Sequence, residues 1–90
     1  MNWDEEWADL LKTMGHPVRL KILELLLNEE ACVKNIWSCL ELPQATVSQH
    51  LAILRNRGLV GCERQGNMVR YFVSDPRVKG VLDALKGSRR

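Results

Sequence analysis

Polar side chains that could bond DNA bases are concentrated between Pro43 and Leu54, a stretch that contains no charged residue. The candidates are Gln44, Thr46, Ser48 and Gln49. Their amides and hydroxyls match the donor and acceptor groups on base edges in the major groove, and short side chains let a helix backbone come close. The alternative is a solvated helix face, which usually carries charged residues. The stretch therefore predicts a helix that reads DNA.

Four further residues could hold the DNA backbone beside that helix. His50 follows the polar cluster, and Arg64, Gln65 and Asn67 surround the glycine of a predicted hairpin turn. Basic and polar side chains on a hairpin suit contacts with phosphates or entry into the minor groove. The alternatives are a charged hairpin that faces solvent and a histidine that packs in the core.

Two cysteines, Cys32 and Cys39, could carry thiol chemistry. If both lie on one helix they share a face, but about 10 Å separates them along its axis, which exceeds the roughly 7 Å Cα limit of a disulfide. A disulfide therefore requires Cys32 to lie outside the helix or to pair across a dimer. A redox or reactive-sulfur switch, a soft-metal or arsenite site, and thiols without a sensing role are all open. Cys62 makes the total odd, so no disulfide framework is predicted.

Hydrophobic periodicity predicts the elements that position these residues. Helical spacing indicates helices over residues 3–14, 18–27 and 33–40, a fourth from Gln44 to a glycine cap at Gly58, and a last one from Pro76 to Lys86. Strand-type runs over residues 59–64 and 68–73 flank the turn. The predicted fold class is mainly α with a β-hairpin (α+β), in the order α-α-α-α-β-β-α. A short helix pair followed by a hairpin is a winged helix-turn-helix.

Size and charge agree with a small DNA-binding protein. The 90 residues predict a single domain over residues 1–90, at a size where oligomerisation often supplements a small core. The net charge is only +2, but residues 1–30 carry a net −4 and residues 31–90 a net +6, so the second part attracts polyanions. Without a long apolar run or a basic leader, we expect a cytoplasmic protein that makes no membrane contact.

Three segments, MGHPVRLKILELL, VSQHLAILRNRGLV and RQGNMVRYFVS, follow one another in an order and spacing that resemble the ArsR/SmtB family of bacterial and archaeal repressors. The resemblance implies a homodimer that binds an imperfect palindrome of double-stranded operator DNA and is released by an inducer. It also implies a dimer seam made by the first and last helices. The residues assigned to that seam are Trp3, Trp7, Leu10, Leu82 and Leu85, and buried aromatic anchors suit such an interface.

The metal sites of that family are not matched by this sequence. Lys34 and Trp37 stand where members similar to the arsenic and cadmium sensors have cysteines after Cys32, and the last helix contains Asp83 but no histidine. We therefore predict no metal site and no cofactor, and the sequence does not identify the inducer. It also contains no nucleophile elbow or phosphate loop, so we predict no enzyme. The rival function is a winged-helix module that binds protein without specific DNA binding.

Overall fold

A computed structural model describes residues 2–29 and 31–88 of the chain. The elements are α1 (Trp3–Met14), α2 (Pro17–Asn28), β1 (Ala31–Cys32), α3 (Val33–Leu40), α4 (Gln44–Asn56), β2 (Val60–Gln65), β3 (Met68–Val73) and α5 (Arg77–Gly87). The predicted class, a mainly helical winged helix-turn-helix, is confirmed. The structure adds β1, which the sequence pattern missed because two residues are too few to show an alternation. None of the helices in the described ranges is long and apolar enough to span a membrane.

Local sequence signals explain where α2, α4 and the hairpin begin and end. Pro17 occupies the first turn of α2, where its missing N–H costs nothing. After α4, Gly58 adopts a φ of 80°, and the backbone N–H of Leu59 returns to the carbonyl oxygen of Leu54 at 2.9 Å. Gly66 has a φ of 64° and starts a two-residue turn between β2 and β3. Gly58 therefore ends α4 and lets the chain turn toward the β2–β3 hairpin, which is the wing. Gly66 lets the chain reverse direction at the tip of that hairpin.

The three strands form an antiparallel sheet in the order β1-β3-β2. Tyr71 of β3 is paired with Ala31 on one side and with Cys62 on the other, so these three side chains share a face. Ala31 is buried, which identifies that face as the one turned toward the helices. The short strand β1 thus anchors the start of α3 to the base of the wing.

Helix α2 lies at the centre of the fold, as its apolar residues on two sides predict. Its residues Ile22, Leu23 and Leu26 are buried, and it contacts α3, α4, α5 and β3. The core around it is built from the inward sides of the other helices and the first strand of the wing: Leu10, Met14, Ile36, Val47, Leu51, Leu54, Leu59, Val60, Val78 and Leu82. This core holds α3 and α4 at a fixed angle to each other.

Asp75 fixes the start of α5. Its carboxylate accepts hydrogen bonds from the backbone N–H of Arg77 at 2.9 Å and from the Arg77 guanidinium at 2.6 Å. The side-chain hydrogen bond from Arg77 is the main cause that holds the pKa of Asp75 below its usual value, against the opposing effect of burial. A lowered pKa means that the ionised carboxylate stabilises the folded state above the unfolded-state value and that this stabilisation is lost as the pH falls through the folded-state value.

We expect Asp75→Ala to lower the free energy of unfolding by about 0.5–2 kcal/mol at pH 7, the usual contribution of a helix cap. The difference from the wild type should shrink as the pH falls below about 4, where the unfolded-state aspartate becomes protonated. Urea unfolding at pH 7 and at pH 3 measures both effects. Asp83→Ala is the control, because Asp83 is an exposed carboxylate on the same helix whose partner is Lys79. A destabilisation by Asp75→Ala that is equal at both pH values would contradict the assignment.

Candidate nucleic-acid interface

Helix α4 presents the predicted reading face to solvent. Val47, Leu51 and Leu54 are buried and fix its orientation. On the opposite side Gln44, Ser48 and Gln49 are exposed, while Thr46 is half-buried at the edge. The structure therefore leaves three of the four predicted base-reading side chains exposed and the fourth partly accessible. Helix α4 carries no charged residue before Arg55, so no acidic side chain on its first three turns would repel a phosphate backbone.

A groove of about 530 Å³ runs beside this face of α4. Ser48, Ala52, Arg55 and Asn56 form its helix side. The opposite wall includes Val33 at the start of α3 and Tyr71 of the wing. Sequence reasoning missed these two wall residues. The alternation of β3 placed Tyr71 on the same face as Val69 and Val73, but only the pairing of β3 with β1 shows which helix that face meets.

The wing places three of the predicted backbone-contacting residues near its tip. Arg64 and Gln65 end β2, and Asn67 is the second residue of the turn; all three are exposed. Cross-strand pairing of Arg64 with Val69 and of Gln65 with Met68 keeps the tip extended as a ribbon. An exposed ribbon with a basic residue near its tip can follow a phosphate backbone or enter the minor groove.

His50 does not lie with the exposed residues of α4. It is half-buried, and its ring centroid is 4.3 Å from that of His16, the residue that precedes α2. Its Nδ1 atom is buried without a hydrogen-bond partner. Burial, followed by the charges of His16 and Arg19, lowers the pKa of His50. The structure thus supports the alternative that the sequence left open, a histidine packed between helices, and the phosphate contact of His50 stays a prediction.

The three cysteines are free thiols. Cys32 ends β1 just before the first turn of α3, and Cys39 lies in the last turn of that helix. Cys62 is paired with Tyr71, whereas Cys32 is paired with Arg70, so these two thiols point to opposite faces of the sheet. Within residues 2–29 and 31–88, no group of three or more His, Cys, Asp or Glu side chains could hold a metal ion.

The predicted dimer residues fall into two groups. Trp3 and Leu85 are 74% and 54% exposed, and Trp7 and Leu11 also remain accessible, so α1 and α5 carry apolar surface that the protomer does not cover. Leu10 and Leu82 are only 2% and 5% exposed. They belong to the core of the protomer and have no surface left for a partner, so their assignment to the seam is corrected.

Comparison with known proteins decides the family. Residues 16–61, from the start of α2 into β2, match the family described as bacterial regulatory protein, arsR family. The chain is also 45% identical over 82 residues to the transcriptional repressor PagR of Bacillus anthracis, a match that covers 90% of this chain and 82% of PagR. The chain belongs to the ArsR/SmtB family.

Solved structures of ArsR/SmtB regulators superpose on nearly the whole chain. The transcriptional repressor BigR from Xylella fastidiosa gives a TM-score of 0.91 at 31% identity, over 97% of this chain and 89% of BigR. HlyU from Vibrio cholerae gives a TM-score of 0.84 at 41% identity, over 94% of both chains. Members of the ArsR/SmtB family are transcriptional regulators and not enzymes, so this chain is a DNA-binding transcriptional regulator.

Proposed function

We propose that the protein is a homodimeric, sequence-specific repressor that occludes promoter DNA. The observation that carries this proposal is the exposed, uncharged polar face of α4, which lies beside an open groove and next to a basic wing. Repression is favoured because PagR, the relative that matches 90% of this chain, is named as a repressor. A regulator of this kind works where the chromosome is, in the cytoplasm.

Within the proposed complex the two kinds of contact come from different elements. Gln44, Thr46, Ser48 and Gln49 of α4 read base edges in the major groove, where glutamine can bond adenine in a bidentate manner. The wing residues Arg64, Gln65 and Asn67 hold the sugar-phosphate backbone and so set the register of α4 on the duplex.

The proposed dimer is supported by the uncovered apolar surface on α1 and α5. Two reading helices that contact successive major grooves must lie about 34 Å apart, a spacing that a single protomer cannot supply. A two-fold axis at the α1–α5 surface would present the same face of α4 to each half of an imperfect palindrome. Release by an inducer is part of this proposal, and no described residue identifies the inducer.

Salt dependence separates DNA binding from the rival function of a protein-binding module. We expect the affinity for a duplex from upstream of the protein's own gene to fall with a slope of about −5 in log affinity against log salt, if each protomer neutralises roughly three phosphates. Fluorescence anisotropy between 50 and 300 mM salt measures this slope. Arg64→Gln should reduce its magnitude by about 1 for each protomer, because one phosphate contact is lost.

A matched control for that experiment is Lys79→Gln, which removes an exposed cation from α5, outside α4 and the β2–β3 hairpin. Its slope should equal that of the wild type. Specific binding to a protein partner that is insensitive to salt, together with no binding to the duplex, would support the rival function instead.

A further inference from the structure

Side chains at the start of α2 contact both the end of α1 and the reading helix α4. The guanidinium of Arg19 donates a hydrogen bond to the carbonyl oxygen of Thr13, near the end of α1, at 2.9 Å. On the same part of α2, the ring of His16 packs against the ring of His50 at an angle of 39°. Since His50 belongs to α4, this ring contact joins the central helix directly to the reading helix.

The orientation of His16 is fixed by the backbone. Its Nδ1 atom accepts a hydrogen bond from the backbone N–H of Val18 at 3.1 Å, so the side chain caps the start of α2. An accepting nitrogen carries no proton, so the ring proton of the neutral imidazole lies on Nε2. The cap thus holds the ring of His16 in one tautomer and one position against α4.

The surroundings of His50 disfavour a positive charge on that residue. Its Nδ1 atom is buried without a partner, and a proton there would be a buried donor without an acceptor. Within the part of the chain that the structure describes, the titratable and charged groups that act on His50 are His16, which precedes α2, and Arg19 of α2. The carboxylate that α1 brings to α4 is Asp9, which pairs with Arg57 at 2.8 Å.

We propose that His16 is a positioning residue for the reading helix: its ring supports His50 in the DNA-binding arrangement, and protonation of His50 loosens this contact and weakens DNA binding. This inference rests on the proposed function. A cation on His50 would be repelled by the charge of Arg19 on α2, and a shift of α4 away from α2 relieves that repulsion. A histidine that merely touched phosphate would act in the opposite direction, because its protonation would strengthen DNA binding.

The test compares the wild type with His16→Asn and His50→Gln at pH 7.5 and pH 5.5 at constant ionic strength. Asparagine is a good helix cap, so His16→Asn keeps an acceptor for the Val18 N–H while it removes the ring. Fluorescence anisotropy with the duplex from upstream of the protein's own gene gives, for each protein, the ratio of the dissociation constant at pH 5.5 to that at pH 7.5. Circular dichroism establishes that each protein is folded at both pH values, and NMR titration of the imidazole resonances gives the pKa of His50.

In the wild type we expect the affinity to be about tenfold lower at pH 5.5 than at pH 7.5, because protonation of His50 destabilises the DNA-binding arrangement of α4. In His16→Asn the pKa of His50 should move up toward its ordinary value, and the pH-dependent loss of affinity should shrink to less than about threefold. His50→Gln should show an equally flat profile, since it has no imidazole on α4 to protonate.

An equal loss of affinity in all three proteins, or an affinity of the wild type that rises toward pH 5.5, would overturn the role of His16. An unchanged pKa of His50 in His16→Asn would overturn it as well. If the wild type fails to bind the duplex at pH 7.5, the proposed function itself is refuted, and that result is seen before any comparison between pH values is made.

Discussion

We expect Gln49→Ala to weaken binding to the specific duplex by about 1–3 kcal/mol, which corresponds to roughly 5–150-fold in the dissociation constant. Gln49 is exposed at the centre of the outward face of α4, one turn from Ala45 and Ala52, so its amide is the longest polar group on that part of the helix. Loss of a bidentate amide–adenine pair removes discrimination as well as affinity. Binding to a non-specific duplex, which depends on phosphate contacts, should change little.

Competition anisotropy with specific and non-specific duplexes measures both quantities for Gln49→Ala. Asn2→Ala provides a matched control, because Asn2 is an exposed amide at the start of α1 that makes no side-chain cap hydrogen bond. If Gln49→Ala retained the full ratio of specific to non-specific affinity, the assignment of this face to the major groove would be wrong.

The second large effect concerns the dimer. We expect the double substitution Trp3→Ala and Leu85→Ala to raise the dimer dissociation constant by at least about 30-fold, since loss of an aromatic anchor at an interface typically costs 2 kcal/mol or more. Both side chains are more than half exposed in the protomer, so their truncation removes little internal packing. Operator affinity should fall with the dimer population, because one protomer offers only one reading helix.

Sedimentation equilibrium over a range of protein concentrations measures this dissociation constant. Met68→Ala is the control: Met68 is an exposed apolar residue of similar accessibility on the wing, outside α1 and α5. Its substitution should leave the dimer intact. A double variant that dimerises as tightly as the wild type would exclude the α1–α5 surface as the seam.

Much of the fold follows from periodicity and turn residues. The bounds of α1 and α3 agree with the predicted residues 3–14 and 33–40, and the glycines after α4 and at the wing tip occupy left-handed conformations. These features depend on a few consecutive residues, so a single sequence contains the information that determines them. The exposed face of α4 could be predicted for the same reason, because the buried stripe of a helix defines its opposite side.

Other features required the tertiary structure. Periodicity placed Leu10 on the apolar stripe of α1 beside Trp3 and Leu11, yet one part of that stripe is buried in the protomer while the other is exposed. A helical pattern cannot distinguish a surface that is covered by its own chain from one that is left for a partner. The strand β1 was also outside the reach of local patterns, because its two residues are held by pairing with β3, which is far away in the sequence.

The sequence by itself determined the family, the winged helix-turn-helix and the exposed polar side of α4, because these depend on local spacing along the chain. Only the tertiary structure decided that His50 packs on His16, that Leu82 belongs to the core, and that Cys32 and Cys62 lie on opposite faces of the sheet. The physical reason is that each of these facts is a contact or an orientation between segments distant in sequence, and such relations are set by how the helices and strands pack together.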